Sequence, residues 1–258
     1  MSPARRIVSL APHLAELVHA AGAGRALVGV SAHSDYPAAV RNLPRVGSGQ
    51  GLDIERILAL RPELVLAWHS GNPPRALQRL EALGLVVYRS EPADLAAIAT
   101  GLEQIGRLAG TEVEARQAAE DFRAGLAVLQ ERYANRRPVR LFYQLWHQPL
   151  MTVGGRHWLN DALRLCGAVN VFDDQPQQVL TLDLEAVLAR DPELLVVAGA
   201  GEEPGAGLDL WQAWPSLGAV ARGQVHWLPA DRLHRPTPRI LEGLEILCRQ
   251  VDAARRIR

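Results

Sequence analysis

The stretch Leu52-Asp-Ile-Glu-Arg-Ile-Leu-Ala-Leu-Arg-Pro-Glu-Leu-Val-Leu-Ala67 returns 130 residues later as Leu182-Asp-Leu-Glu-Ala-Val-Leu-Ala-Arg-Asp-Pro-Glu-Leu-Leu-Val-Val197, with eight of sixteen positions identical. In each copy an aspartate, Asp53 or Asp183, stands where it would cap a short helix whose apolar residues fall at 54, 57 and 58 or at 184, 187 and 188. Pro62 and Pro192 then end the helix, because the proline ring removes a backbone donor and clashes with the preceding turn. Beyond each proline, Leu64 to Trp68 and Leu194 to Ala198 are continuous apolar runs of strand length, as expected of strands covered on both faces. The unit is helix, turn, buried strand, and it occurs twice.

A weaker echo pairs Leu14 to Ala23 with Leu159 to Ala168, both helical in pattern and both reaching a glycine suited to a helix C-terminus. Further short apolar runs, Ile7 to Leu10, Ala26 to Val30, Leu85 to Tyr88, Val139 to Leu145 and Val225 to Leu228, alternate with helical stretches through both halves. This is the α/β pattern of largely parallel sheets. Between the halves, Thr111-x-x-Glu114 reads as a capping box, and Ala115, Ala119, Phe122, Leu126, Leu129 and Tyr133 follow at helical steps. One amphipathic helix over about 112–135 is predicted, roughly 36 Å long, closed by Arg136-Arg137-Pro138. The expected organisation is an α/β fold of two Rossmann-like lobes, 1–110 and 138–258, joined by a stiff interlobe helix at 111–137, with a ligand cleft between the lobes and little domain closure.

Composition narrows the chemistry. The 258 residues are 48% hydrophobic and carry no net charge, which argues against nucleic acid or another polyanion as partner. All 28 basic residues are arginine. Without lysine there is no Schiff-base, phosphate-loop or general-base lysine. No apolar run is long enough to span a bilayer and no signal peptide is read, leaving a cytoplasmic protein or a mature exported one as alternatives. Cys166 and Cys248 lie outside any C-x-x-C pair, and their spacing fits either two buried thiols or one disulfide.

The loops expected after the strands are rich in aromatic and hydrogen-bonding groups: Ala11-Pro12-His13, Ser31 to Pro37, Trp68 to Asn72, Trp146-His147-Gln148-Pro149 and Asp231 to Arg239. Gly47-Ser-Gly-Gln-Gly51 matches neither a dinucleotide nor a Walker pattern, and no G-x-S-x-G elbow occurs. Of the eight histidines, His33, His69, His147 and His234 fall on these loops, while His19 and His226 fall in helix and strand patterns. No nucleophile or carboxylate partner stands at a telling spacing from any of them. The site reads as binding without catalysis; a cytoplasmic α/β enzyme using the GSGQG loop is the alternative from another class.

The chain resembles the class III substrate-binding proteins of ABC importers, and within them the cobalamin-binding group. The likeness rests on Ile7-Val-Ser-Leu-Ala-Pro12, Gly29-Val-Ser-x-x-Ser-Asp-Tyr-Pro37, Gln50-Gly51 with Glu55-Arg-Ile, Arg61 to Trp68, Gly71-Asn72, Cys166-Gly167, Asn170-Val-Phe172 and Arg235-x-x-Pro-Arg239. The resemblance implies a periplasmic carrier, monomeric and without cofactor or activity, that hands cobalamin or a related corrinoid to an inner-membrane permease. It implies a disulfide between Cys166 and Cys248, and permease docking through Glu55 and Glu185, equivalent glutamates of the repeat. Each glutamate also sits in a first helical turn, where the helix dipole alone favours a carboxylate.

For the ligand, the resemblance implies packing by Trp68 and polar contacts from Asp231 and Arg235, with Pro12, His33, Tyr36, Trp146 and His147 on the surrounding loops. The family places aromatic residues where this sequence has His33, Gly49, Leu145 and Val179, and Trp146 stands beside Leu145 as a replacement. No metal site is expected from the protein alone; His33 or His147 is a candidate ligand to the corrinoid's cobalt. Haem or a ferric siderophore is the alternative cargo within the same fold, with His33, Tyr36 or His147 serving haem.

Overall fold

A buried triplet, Ile7–Ser9, forms the first strand, β1, of the computed structural model, which describes residues 2–49, 51–133, 135–201 and 207–257. After it come α1 (Pro12–Ala20), β2 (Leu27–Val30), a small hairpin of β3 (Gly47–Ser48) and β4 (Gly51–Leu52), α2 (Ile54–Ala59), β5 (Leu64–Trp68), α3 (Pro74–Ala82), β6 (Val87–Ser90) and α4 (Ala96–Ala109). Four of these strands make a parallel sheet in the order β2-β1-β5-β6. Val8 and Val65 pair across its centre, and with Leu10, Val46, Ile57, Ala67, Leu77 and Leu80 they form a buried cluster. Apolar on both faces, β1 and β5 have the composition that central parallel strands require.

Next, α5 (Glu112–Tyr133) runs for 22 residues, close to the predicted span. Ala115, Ala119, Phe122, Leu129 and Tyr133 are buried, as their spacing requires, and Leu126 is half-buried. The Thr111 hydroxyl donates to the Ala21 carbonyl at 2.6 Å, tying the start of α5 to the end of α1. By contact the chain divides into two units: Met1–Pro92, Ala96–Arg123 and Pro236–Pro238 in one, and Ala93–Leu95, Ala124–Arg235 and Arg239–Arg258 in the other.

The second unit contains β7 (Val139–His147), β8 (Leu150–Val153), α6 (Leu159–Leu165), β9 (Ala168–Asn170), β10 (Val179–Thr181), α7 (Leu184–Arg190), β11 (Leu194–Gly199), α8 (Asp209–Gln212), α9 (Gly218–Ala221), β12 (Val225–Pro229), α10 (Ala230–Leu233) and α11 (Ile240–Arg256). Its sheet runs β10-β8-β7-β11-β12, with β9 also on β7. Strands β9, β7, β11 and β12 are parallel, whereas β8 is antiparallel to both of its neighbours. The apolar runs of the sequence mark none of β8, β9 and β10. These strands are three or four residues long, and two of them contain threonine, so they lack the apolar run that marks β7 and β11. Phe142, Trp211 and Phe172 pack edge to face beneath this sheet.

The internal repeat is also a repeat of hydrogen bonds. Asp53 accepts from the Arg56 N–H at 2.9 Å and Asp183 from the Ala186 N–H at 3.0 Å. Both helices end on a residue in the left-handed region, Arg61 (φ 46°) and Asp191 (φ 39°), immediately before the prolines. Glu63 N–H donates to the Arg6 carbonyl and Glu193 N–H to the Arg140 carbonyl, each at 2.8 Å. Their carboxylates answer by accepting from the backbone N–H of Arg5 and of Arg140. The Arg6 and Arg140 guanidinium groups then donate to the last carbonyls of α2 and α7.

Cys166, at the C-terminus of α6, is bonded to Cys248 of α11, with Cα atoms 4.5 Å apart. Gly22 (φ +81°) and Gly167 (φ +73°) end α1 and α6 in the left-handed conformation, as the weaker echo predicts.

Candidate functional site

In an open parallel sheet, ligands gather at the carboxyl ends of two neighbouring strands whose connections leave in opposite directions. In the first unit those strands are β1, whose chain continues to β2 on one side, and β5, on the other. The loop after β1 carries Pro12, the first residue of α1, and His13. The loop after β5 begins with Trp68, which is 37% exposed although the rest of β5 is buried. The His13 and Trp68 rings meet edge to face, centroids 5.3 Å apart. Trp68 N–H donates to Asn72 Oδ1 at 2.7 Å, and Asn72 Nδ2 donates to the Leu10 carbonyl at 3.0 Å, so one buried side chain joins the two loops.

The loop after β2 is pinned from behind. Ser31 and Ser34 share a hydrogen bond of 2.9 Å, and the Arg45 guanidinium donates to the Ser34 carbonyl at 2.7 Å. His33 and Tyr36 of this loop are exposed.

In the second unit the corresponding strands are β7 and β11. Trp146, near the end of β7, is 54% exposed; its indole N–H donates to the Gln148 carbonyl at 2.9 Å, and its ring lies 5.5 Å from that of exposed His147. Beneath them the buried Gln144 accepts from Trp211 Nε1 at 2.7 Å. Gly207 (φ +110°) closes over this pair: a Cβ there would lie 2.6 Å from Gln144 Nε2.

After β12, Asp231 and Arg235 form an ion pair of 2.8 Å in which the arginine side chain is 12% exposed and the carboxylate 47%. Between them His234 Nε2 shares a hydrogen bond of 2.9 Å with the Tyr143 hydroxyl of β7. Burial, with a smaller contribution from nearby His157, pushes His234 down to about 4, and burial pushes the Tyr143 phenol up. The contact is therefore neutral at physiological pH. It secures the Asp231–Arg235 segment to the sheet without adding a charge.

The candidate ligand residues thus fall into two groups. In the first unit, His33 and Tyr36 lie on the loop after β2, Pro12 opens α1 and Trp68 ends β5; in the second, Trp146 and His147 are not on a loop, as the sequence suggested, but are the last residues of β7, paired with β8, while Asp231 lies in α10 and Arg235 just after it. Glu55 and Glu185 are exposed, each the second residue of its helix. The GSGQG segment forms the β3–β4 hairpin, with Gln50 outside the described residues. The helix after it is capped by the Asp53 carboxylate, which occupies the N-terminus that a phosphate cradle would need. Sequence reasoning missed Tyr143, Gln144 and Trp211 as supports of the second group; the signal for Gln144 was an amide inside the apolar run Leu141 to Leu145.

Residues 7–231 match the periplasmic binding protein family. The vitamin B12-binding protein of Vibrio cholerae serotype O1 is 40% identical over 255 residues, 98% of this chain and 91% of that one. The crystal structure of the periplasmic vitamin B12-binding protein of Vibrio cholerae matches with a TM-score of 0.92 and 39% identity, covering 98% of this chain and 99% of that one. A periplasmic haem-binding protein from Pseudomonas aeruginosa matches with a TM-score of 0.82 and 26% identity, covering 96% and 92%.

Proposed function

The chain belongs to the periplasmic binding protein family, and from that premise we propose that it captures cobalamin or a related corrinoid and delivers it to an ABC importer of the inner membrane, as a monomeric carrier in the periplasm. Proteins of this family carry ligands rather than transform them.

The observation that carries the reading is the half-exposed Trp68 indole at the carboxyl end of β5, in a chain 40% identical to a vitamin B12-binding protein. A corrin is a broad apolar ring edged with amides. Each unit has an exposed indole, Trp68 in the first and Trp146 in the second, that offers a face for stacking on such a ring, a stack contributing about 0.5–1.5 kcal/mol beyond simple burial. Asp231 accepts from amide N–H groups and Arg235 donates to amide carbonyls, while Pro12 and Tyr36 add apolar contact. His33 or His147 supplies an imidazole to the cobalt. Glu55 and Glu185 offer the permease one carboxylate from each unit.

Titration of the purified protein with cyanocobalamin, cobinamide and haemin tests this. Saturable one-to-one binding of the corrinoids is expected, weakened about 10-fold or more by Trp68→Ala. Loss of a cobalt-centred spectral shift in His33→Ala or His147→Ala identifies the axial ligand; an unchanged spectrum in both removes that role. The exposed imidazoles and the Tyr36 phenol favour haem as the second reading, and a Soret shift with haemin alone moves the assignment there.

A further inference from the structure

Trp68 is the last residue of its strand, where an indole has room to turn, yet three neighbours restrict it. Gly71 lies directly under the ring: a Cβ there would stand 2.0 Å from Trp68 Cε3, 2.4 Å from Cδ2 and 2.6 Å from Cζ3. The Gly71 backbone is outside the left-handed region, so the position needs the absence of a side chain rather than glycine's φ freedom. Asn72 fixes the Trp68 backbone from both sides, accepting from its N–H at 2.7 Å and donating its own N–H to the Trp68 carbonyl at 2.9 Å. Through Nδ2 it also binds the Leu10 carbonyl, and so sets the spacing to the loop that holds His13. His13, buried, meets the indole at an interplanar angle of 89° and blocks rotation on that side.

We infer that His13, Gly71 and Asn72 are positioning residues that hold the Trp68 indole in one orientation, as a preformed apolar platform for the corrin ring. The identity of the ligand rests on the function proposed above; the locking of the indole does not. A side chain ordered before binding spares the ligand the entropic cost of ordering it, and a platform set at one angle favours a broad, flat molecule over a small or round one. The Gly71-Asn72 dipeptide thereby acquires a physical reason, since Gly71 admits the ring and Asn72 anchors the chain on either side of it.

Gly71→Ala is the informative variant, because the Gly71 backbone lies outside the left-handed region and the three atoms nearest to the added Cβ all belong to the indole. Its cyanocobalamin affinity is expected to fall about 10-fold or more, with little change in Tm. In a Trp68→Ala background the same substitution should cost nothing further, and His13→Phe, which keeps a ring edge against the indole, should retain affinity that His13→Ala loses. Fluorine NMR of fluorotryptophan-labelled protein without ligand gives an independent readout. The Trp68 resonance, identified by its loss in Trp68→Phe, should shift or broaden in Gly71→Ala. An unmoved resonance, or an affinity loss of the same size with and without Trp68, overturns the inference. If the wild-type protein binds no corrinoid, the corrinoid reading falls, and the resonance still decides whether the indole is locked.

Discussion

At Glu63 and Glu193 the recurring Pro-Glu dipeptide has a physical cause: each glutamate closes a helix-to-strand turn by exchanging hydrogen bonds with backbone, Glu63 with Arg5 and Arg6 just before β1 and Glu193 with Arg140 of β7. Burial raises the Glu193 carboxyl, but the Arg140 N–H and the Arg137 guanidinium outweigh it and hold the group below its usual value of 4.5. A carboxylate whose folded value lies below its unfolded one contributes stability above the unfolded value, and that contribution disappears as pH falls through the folded value. Glu193→Gln is therefore expected to cost about 1 kcal/mol at pH 7 and to lose less than the wild type on acidification below 4.5. Urea unfolding at neutral and acid pH measures both. Asp53 and Asp183 were legible because a cap depends on residues three positions away. The Tyr143–His234 contact was not, since its partners are 91 residues apart and only the folded sheet brings them together.

Helices announce themselves through spacing that is local to them, and α5 appeared in the sequence almost residue for residue because its buried face repeats over six turns of chain. Strands β8, β9 and β10 did not, because a strand of three or four residues owes its conformation to the partners it pairs with. The link between α6 and α11 likewise joins elements whose proximity the cysteine spacing leaves open. Closing a loop across 82 residues stabilises the second unit by about 4.5 kcal/mol in the chain-entropy model. The Cys166→Ser/Cys248→Ser double variant should lose close to that amount in urea unfolding. Both sulfurs are fully buried, so reductant should act on the wild type only through opened molecules and should lower its apparent Tm more at slow scan rates.

For the whole molecule, the repeated unit places one exposed glutamate on each half of the chain in the same helical position. Glu55→Arg/Glu185→Arg should bind cyanocobalamin with wild-type affinity and fail to support its uptake through the importer. Unimpaired uptake would return both residues to the lesser role of complementing a helix dipole, worth about 0.3–1 kcal/mol each. That the helix, turn and buried strand occur twice was legible from the repeat; which residues support the exposed aromatics was not, because that depends on contacts such as Gln144 with Trp211. The disulfide leaves no free cysteine, and the chain has no lysine at all. A cysteine introduced at Glu55 would then be the one thiol available to a maleimide dye. Conjugation would be stoichiometric and site-defined without first stripping the protein of native reactive groups, so a fluorophore could sit on the proposed docking surface and report the permease encounter in real time.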